Sequence, residues 1–156
     1  MLELLDISVR LGRRDILQGI TLSAQAGEVL AVCGANGAGK STLLKAALAE
    51  VPVKGTVRLN GLSITGAHTA GLSSLRAVLP QDTEIAFAFT LGDIVTMGRE
   101  AGDFARWPEV DALALDAVGL SGRQNEDFRL LSGGERQRGH LARALAQVWE
   151  PVAPSG

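Results

Sequence analysis

The sequence has a single cysteine, Cys33, so no disulfide can form within the chain, and the redox compartment stays open. No stretch approaches the roughly 18 uninterrupted apolar residues of a membrane-crossing helix. The expectation is a chain that does not span a membrane itself but can sit on one through a partner. Excess charge is lacking too: 15 basic against 17 acidic residues leave a formal charge of -2, which argues against a nucleic-acid-binding footprint. The start, "MLELLDISVR", sets acids among its leucines instead of a basic head and an apolar run, so a secretion leader is not expected. No aromatic residue precedes Phe87. What remains is ordinary: 156 residues, 46% hydrophobic and 21% charged, fit one globular domain able to bury a core.

Short alternating apolar runs over 2–9 and 16–25, broken at "LGRR", predict two antiparallel strands. "GEVLAVCG" (27–34) is a compact apolar run of the kind buried in a parallel sheet. "KSTLLKAALAE" has helix composition, and "GTVRLNG" predicts a strand closed by an Asn-Gly turn. Residues 63–74 read as loop or weak helix, and "RAVLPQ" as another buried strand, stopped by Pro80. Beyond it, "TLGDIVTMGRE" and "PEVDALALDAVGL" are helical patterns, the second with Pro108 placed for a first turn. In the last helix Leu141, Leu145 and Trp149 recur every four residues and are expected to face a core. The organisation expected is an α/β core over about 1–85, a helical subdomain over about 86–130, a loop and helix over 131–149, and a tail over 150–156.

Between the "GEVLAVCG" strand and the following helix lies "GANGAGKST", which satisfies G-x-x-x-x-G-K-[ST] from Gly34 to Ser41. The backbone N–H groups of Gly34, Ala35, Asn36, Gly37, Ala38 and Gly39 would curl around a polyphosphate, where a misplaced Cβ would block the approach. The helix beginning near Lys40 adds its positive end, continued by Ser41 and Thr42. Lys40 is expected to reach the outer phosphates, and the Ser41 hydroxyl to complete a Mg²⁺ shell. Further on, in "LSGGERQR", Ser132 offers a hydroxyl while Gly133 and Gly134 offer open N–H groups at a helix start. Read without reference to any family, Ser132 with Glu135 is a capping box, and both readings can hold together.

With a P-loop upstream, Leu131, Ser132, Gly133, Gly134 and Glu135 resemble the Leu-Ser-Gly-Gly-Gln/Glu signature of the ATP-binding-cassette ATPases. The resemblance covers essentially the whole chain. It implies a P-loop NTPase fold with an N-terminal antiparallel β part and a helical insert. It also implies Mg-ATP as cofactor and two subunits paired head to tail, each signature capping the ATP bound by the other's P-loop. Gln81 in "VLPQDT" matches the family's Q-loop glutamine, which contacts Mg²⁺ and the attacking water. The adenine-stacking aromatic is replaced by Leu11, which puts base selectivity in question, not phosphate binding. Cys33 reads as a small buried hydrophobe, and neither His68 nor His140 has companions at metal-ligand spacing.

"LPQ…AF-x-FT…V-x-MGR" and "LARALAQVWEPV" resemble the ATPases of hemin, iron-siderophore and cobalamin importers, most of all those of hemin import. Such a subunit would lie at the cytoplasmic face of a bacterial inner membrane, beneath permease subunits served by a periplasmic substrate-binding protein. Phe87 and Phe89 would face the permease, or pack into the insert. The resemblance also asks for a strand ending in Asp-Glu and a later histidine, and no such run follows Ser132. The expectation is therefore a partial cassette, with the C-terminal part of the fold missing, hydrolysing ATP at no more than background. "VLAVC" would then keep an unpaired edge. A nucleotide-binding remnant that couples nothing remains the non-enzymatic alternative.

Overall fold

A computed structural model describes residues 1–64, 72–80, 87–102 and 106–149. The chain divides into two compact units, Met1–Ala70 and Gly71–Gly156.

The first unit is built on an antiparallel sheet of order β2-β1-β3-β4, from β1 (Leu2–Leu11), β2 (Arg14–Ala24), β3 (Lys54–Leu59) and β4 (Leu62–Ser63). The hairpin of β1 and β2 falls where alternation and "LGRR" predicted it. Alternation in β1 slips once: Leu4 is buried, then Ile7 and Val9. Asp6 supplies the slip, since its φ of 52° breaks the ladder into a bulge and its N–H is taken by Thr21 Oγ1 at 3.0 Å. β3 turns into β4 through Asn60 and Gly61, both at positive φ (50° and 79°), the type I′ geometry that matches strand twist. Leu4, Ile7, Val9, Leu17 and Val57 form the core of this unit with Ala46 from helix α1 (Lys40–Ala47).

Two strand expectations are corrected. Residues 28–34 are not a strand: no described residue pairs with them, Val29 is 94% exposed and Leu30 also lies open. A run this apolar is buried only when neighbouring strands flank it, and the described residues provide none. Cys33 at its end is exposed, contrary to the buried hydrophobe expected. Residues 76–80 likewise carry no ladder, with Val78 and Leu79 exposed.

The second unit is helical: α2 (Leu91–Ala101), α3 (Glu109–Ala117) and α4 (Gly133–Gln147). Thr90 caps α2 in a reciprocal box with Asp93, and Pro108 stands immediately before α3 with φ -60°. Leu91, Ile94, Val95, Val110, Leu115, Leu120 and Phe128 form its core. The face of α4 meets expectation in part, since Leu145 and Trp149 pack against the core and Leu141 does not. Gly139, Ala142 and Ala146 are buried and Leu141 is exposed, while Leu145 and Trp149 are half-buried at the margin. Small residues win that face because α2 and α4 approach closely: a Cβ on Gly98 would overlap the Arg143 carbonyl, and one on Gly139 would lie 2.7 Å from Phe128 Cε2. His140 is buried beside them, edge-on to the Phe128 ring at 5.0 Å. Phe89 packs against this core, the second of its two alternatives, while Phe87 is 73% exposed.

α4 also fastens the segment before Pro80. Gln147 Nε2 donates to the carbonyls of Ser73 (2.9 Å) and Arg76 (3.2 Å), and Arg143 Nη2 to that of Val78 (3.3 Å).

Candidate nucleotide site

The glycine loop belongs to the first unit and ends where α1 begins. Gly39 is the N-cap residue in the left-handed region (φ 92°), and no side chain caps the helix. A Cβ there would meet Leu17 Cδ2 at 3.0 Å and the Ile16 carbonyl at 3.4 Å, a tight fit against β2 on top of a backbone conformation that favours glycine. The uncapped first turn of α1 leaves its N–H groups to whatever anion approaches. Lys40 folds back over the loop, its Nζ donating to the carbonyls of Gly34 and Ala35, each at 2.8 Å. That places an ammonium beside the helix end, over a loop whose residues from Gly34 to Ala38 are all exposed. Ser41 is exposed at the helix start, and Thr42 is half-buried. The donor set fits a polyphosphate: one cation, a free helix N-terminus and a hydroxyl, with no acid in the first turn. Among the described residues no group of three or more His, Cys, Asp or Glu gathers to hold a metal. A Mg²⁺ here would rest on Ser41 and on oxygens of the nucleotide itself.

Leu11, in the position of the adenine-stacking residue, ends β1 and is 47% exposed. It offers apolar contact only.

The second set of candidate residues lies in the second unit, at the N-terminus of α4. Ser132 is the N-cap, and Leu131 before it is buried while Gly133 and Gly134 are exposed, with nothing within 4 Å of a Cβ placed on either glycine. Glu135 closes the capping box: its Oε2 accepts from Ser132 N (2.8 Å) and from the Ser132 hydroxyl (2.7 Å). Its Oε1 accepts from Arg123 Nη1 at 2.6 Å. Hydrogen bonds from Ser132 first, then from Arg123, hold this carboxyl at about 2, well below the usual range for glutamate. Arg123 also grips Glu126 through Nε and Nη2, both at 2.7 Å, and lowers that carboxyl in turn. Arg123 and Glu126 are the residues that sequence reasoning missed. Their spacing of three was readable, but contact with Glu135 needs the turn between α3 and α4.

Gln81, His68 and the tail over 150–156 lie outside the described residues. Among the described residues, no helix is long and apolar enough to cross a membrane.

The ABC transporter family matches residues 17–150. The hemin import ATP-binding protein HmuV of Roseobacter denitrificans is 48% identical over 151 residues, covering 97% of this chain and 58% of that protein. HmuV proteins of Jannaschia sp. and Bartonella henselae are 47% and 38% identical, with 56% and 59% of their lengths covered. The chain thus spans under two thirds of the length of these relatives. Among solved structures, an inward-facing metal-chelate-type ABC transporter superposes with a TM-score of 0.74 at 28% identity, over 94% of this chain and 55% of that one. An ATP-binding subunit of an ABC transporter gives 0.77 at 24% identity, over 94% and 62%, a likeness of fold. A family match that runs over residues 17–150 shows that the chain belongs to the ABC transporter family.

Proposed function

We propose that the chain is the nucleotide-binding part of the energy-coupling ATPase subunit of a bacterial importer, with hemin as cargo. The observation that carries the reading is the Lys40 ammonium held over the glycine loop beside the uncapped end of α1. In this role residues 34–42 hold the phosphates of ATP. Lys40 releases the Gly34 and Ala35 carbonyls only as far as needed to meet the outer phosphates. Ser41 and Gln81 would hold the Mg²⁺, and Gln81 would orient the attacking water; the metal would supply charge neutralisation. Residues 131–135 cap the terminal phosphate on a second copy of the chain. Hemin as cargo is supported by the names of the relatives, and siderophore or cobalamin import is the alternative.

The remaining partners in this reading are transmembrane permease subunits, a periplasmic binding protein beyond them, and the cytoplasmic face of the inner membrane as location. Phe87, exposed at the entry to α2, is the side chain offered to the permease.

Equilibrium binding of Mg-ATP to the full chain tests the reading. Lys40→Ala is expected to weaken binding by roughly 30-fold or more, the loss of about 2 kcal/mol typical of a charge-assisted bond. Equal affinity of the variant would overturn it.

A further inference from the structure

Within the 131–135 loop one contact is not explained by capping. A capping box needs only Ser132 and Glu135, yet the outer oxygen of Glu135 is also held by Arg123, whose other two donors hold Glu126. All three side chains are partly exposed, at 32% for Arg123, 24% for Glu135 and 45% for Glu126, and ion pairs at that exposure add little to stability. Their consequence lies in where they leave the charge. Glu135 puts a carboxylate at the very helix end that otherwise attracts anions. Uncompensated, it would repel a phosphate arriving at Ser132, Gly133 and Gly134.

Arg123 alters this in two ways. Its guanidinium, shared with Glu126, offsets part of the Glu135 charge from the side away from Ser132. It also gives Glu135 a bond that does not depend on the Ser132 hydroxyl. That hydroxyl now donates to Glu135 Oε2 at 2.7 Å, and it must rotate to donate to a phosphate. When it does, Glu135 stays in place through Arg123 Nη1 and the Ser132 N–H.

We propose that Arg123 is the positioning residue of the 131–135 loop, holding Glu135 and offsetting part of its charge so that Ser132 can turn its hydroxyl to the terminal phosphate of ATP carried by a second copy of the chain. This rests on the two-copy reading above. It makes Arg123 necessary because residue 135 is an acid, so the two side chains should be exchangeable only together.

The test is Mg-ATP-driven self-association of the full chain, followed by sedimentation velocity, with tryptophan-monitored urea unfolding run alongside. Wild type is expected to associate and Lys40→Ala to fail. Arg123→Gln is expected to weaken association about tenfold, the order set by one uncompensated charge near the surface, with its unfolding midpoint little changed. Arg123→Lys should recover part of the loss, and the pair Arg123→Gln with Glu135→Gln should recover most of it, which a merely structural arginine would not allow. The proposal is overturned if Arg123→Gln associates like wild type, or if the double variant is no better than the single. Failure of the wild type to associate with ATP would instead overturn the two-copy reading, and this role with it.

Discussion

Replacing Gly98 by alanine is the sharpest probe of how the helical unit is packed. In an isolated helix the change is favourable by about 1 kcal/mol, because glycine has the poorer propensity. Here the added Cβ would overlap the carbonyl oxygen of Arg143 on α4 and lie 2.9 Å from its carbonyl carbon and Cγ. The obstacle is backbone, so no rotamer change relieves it. Restoring an ordinary separation of about 3.5 Å requires α2 and α4 to part by about 1.5 Å.

That movement loosens Leu91, Ile94 and Val95 against Phe128 and Ala142. Overpacking of this kind costs about 1–3 kcal/mol, and forced backbone displacement puts Gly98→Ala at the upper end, about 2–3 kcal/mol after the propensity gain. For a chain of this size that lowers Tm by roughly 4–12 °C. Both tryptophans, Trp107 and Trp149, lie in the second unit, so urea unfolding followed by tryptophan fluorescence reports on it directly. Gly134→Ala is the control, with nothing within 4 Å of its Cβ, and is expected to be neutral for stability or mildly stabilising. A Gly98→Ala protein as stable as wild type would refute this account of the α2–α4 approach.

Thr90→Ala removes the hydroxyl that accepts from the Asp93 N–H and donates to its carboxylate, and should cost about 1 kcal/mol; Thr90→Ser should retain most of that stability in the same unfolding assay. Acid should weaken the helical unit modestly, because these carboxylates are partly exposed and screened by solvent: Arg129 holds that of Asp127 at about 2, and Ser132 with Arg123 holds that of Glu135 at about 2. Both lie below their ordinary values of 3.8 and 4.5, so the stability they add is fully present above those values and is lost as pH falls toward 2. Thermal melts should therefore show a midpoint flat above about pH 5 and falling below it. The fall should be shallower in Glu135→Gln, and a midpoint that rises on acidification would contradict the sign.

Much of this was legible because it depends on local chemistry. Asn60-Gly61 gives a tight turn wherever two strands need one, Ser132 and Glu135 give a capping box, and the glycines from Gly34 lead into a helix that starts at Lys40. The misses share a different cause. "VLAVC" has strand composition, but a strand exists only with partners, and whether partners are present is not written in the run itself. On α4 the period of the helix allowed either the Leu141 face or the Gly139 and Ala142 face to turn inward. Volume decided, since only the small residues let α2 approach. Arg123 was missed because its meaning comes from Glu135, twelve residues on, through a turn no pattern predicts.

The central claim is that residues 34–42 hold the phosphates of ATP. Amide chemical shifts of the full chain, titrated separately with Mg-ATP and with adenosine, test it most directly. The account predicts that Mg-ATP moves the amides of Gly37, Gly39, Lys40 and Ser41, while adenosine at the same concentrations leaves them in place. Equal responses to adenosine, or shifts confined to residues outside 34–42, would contradict it.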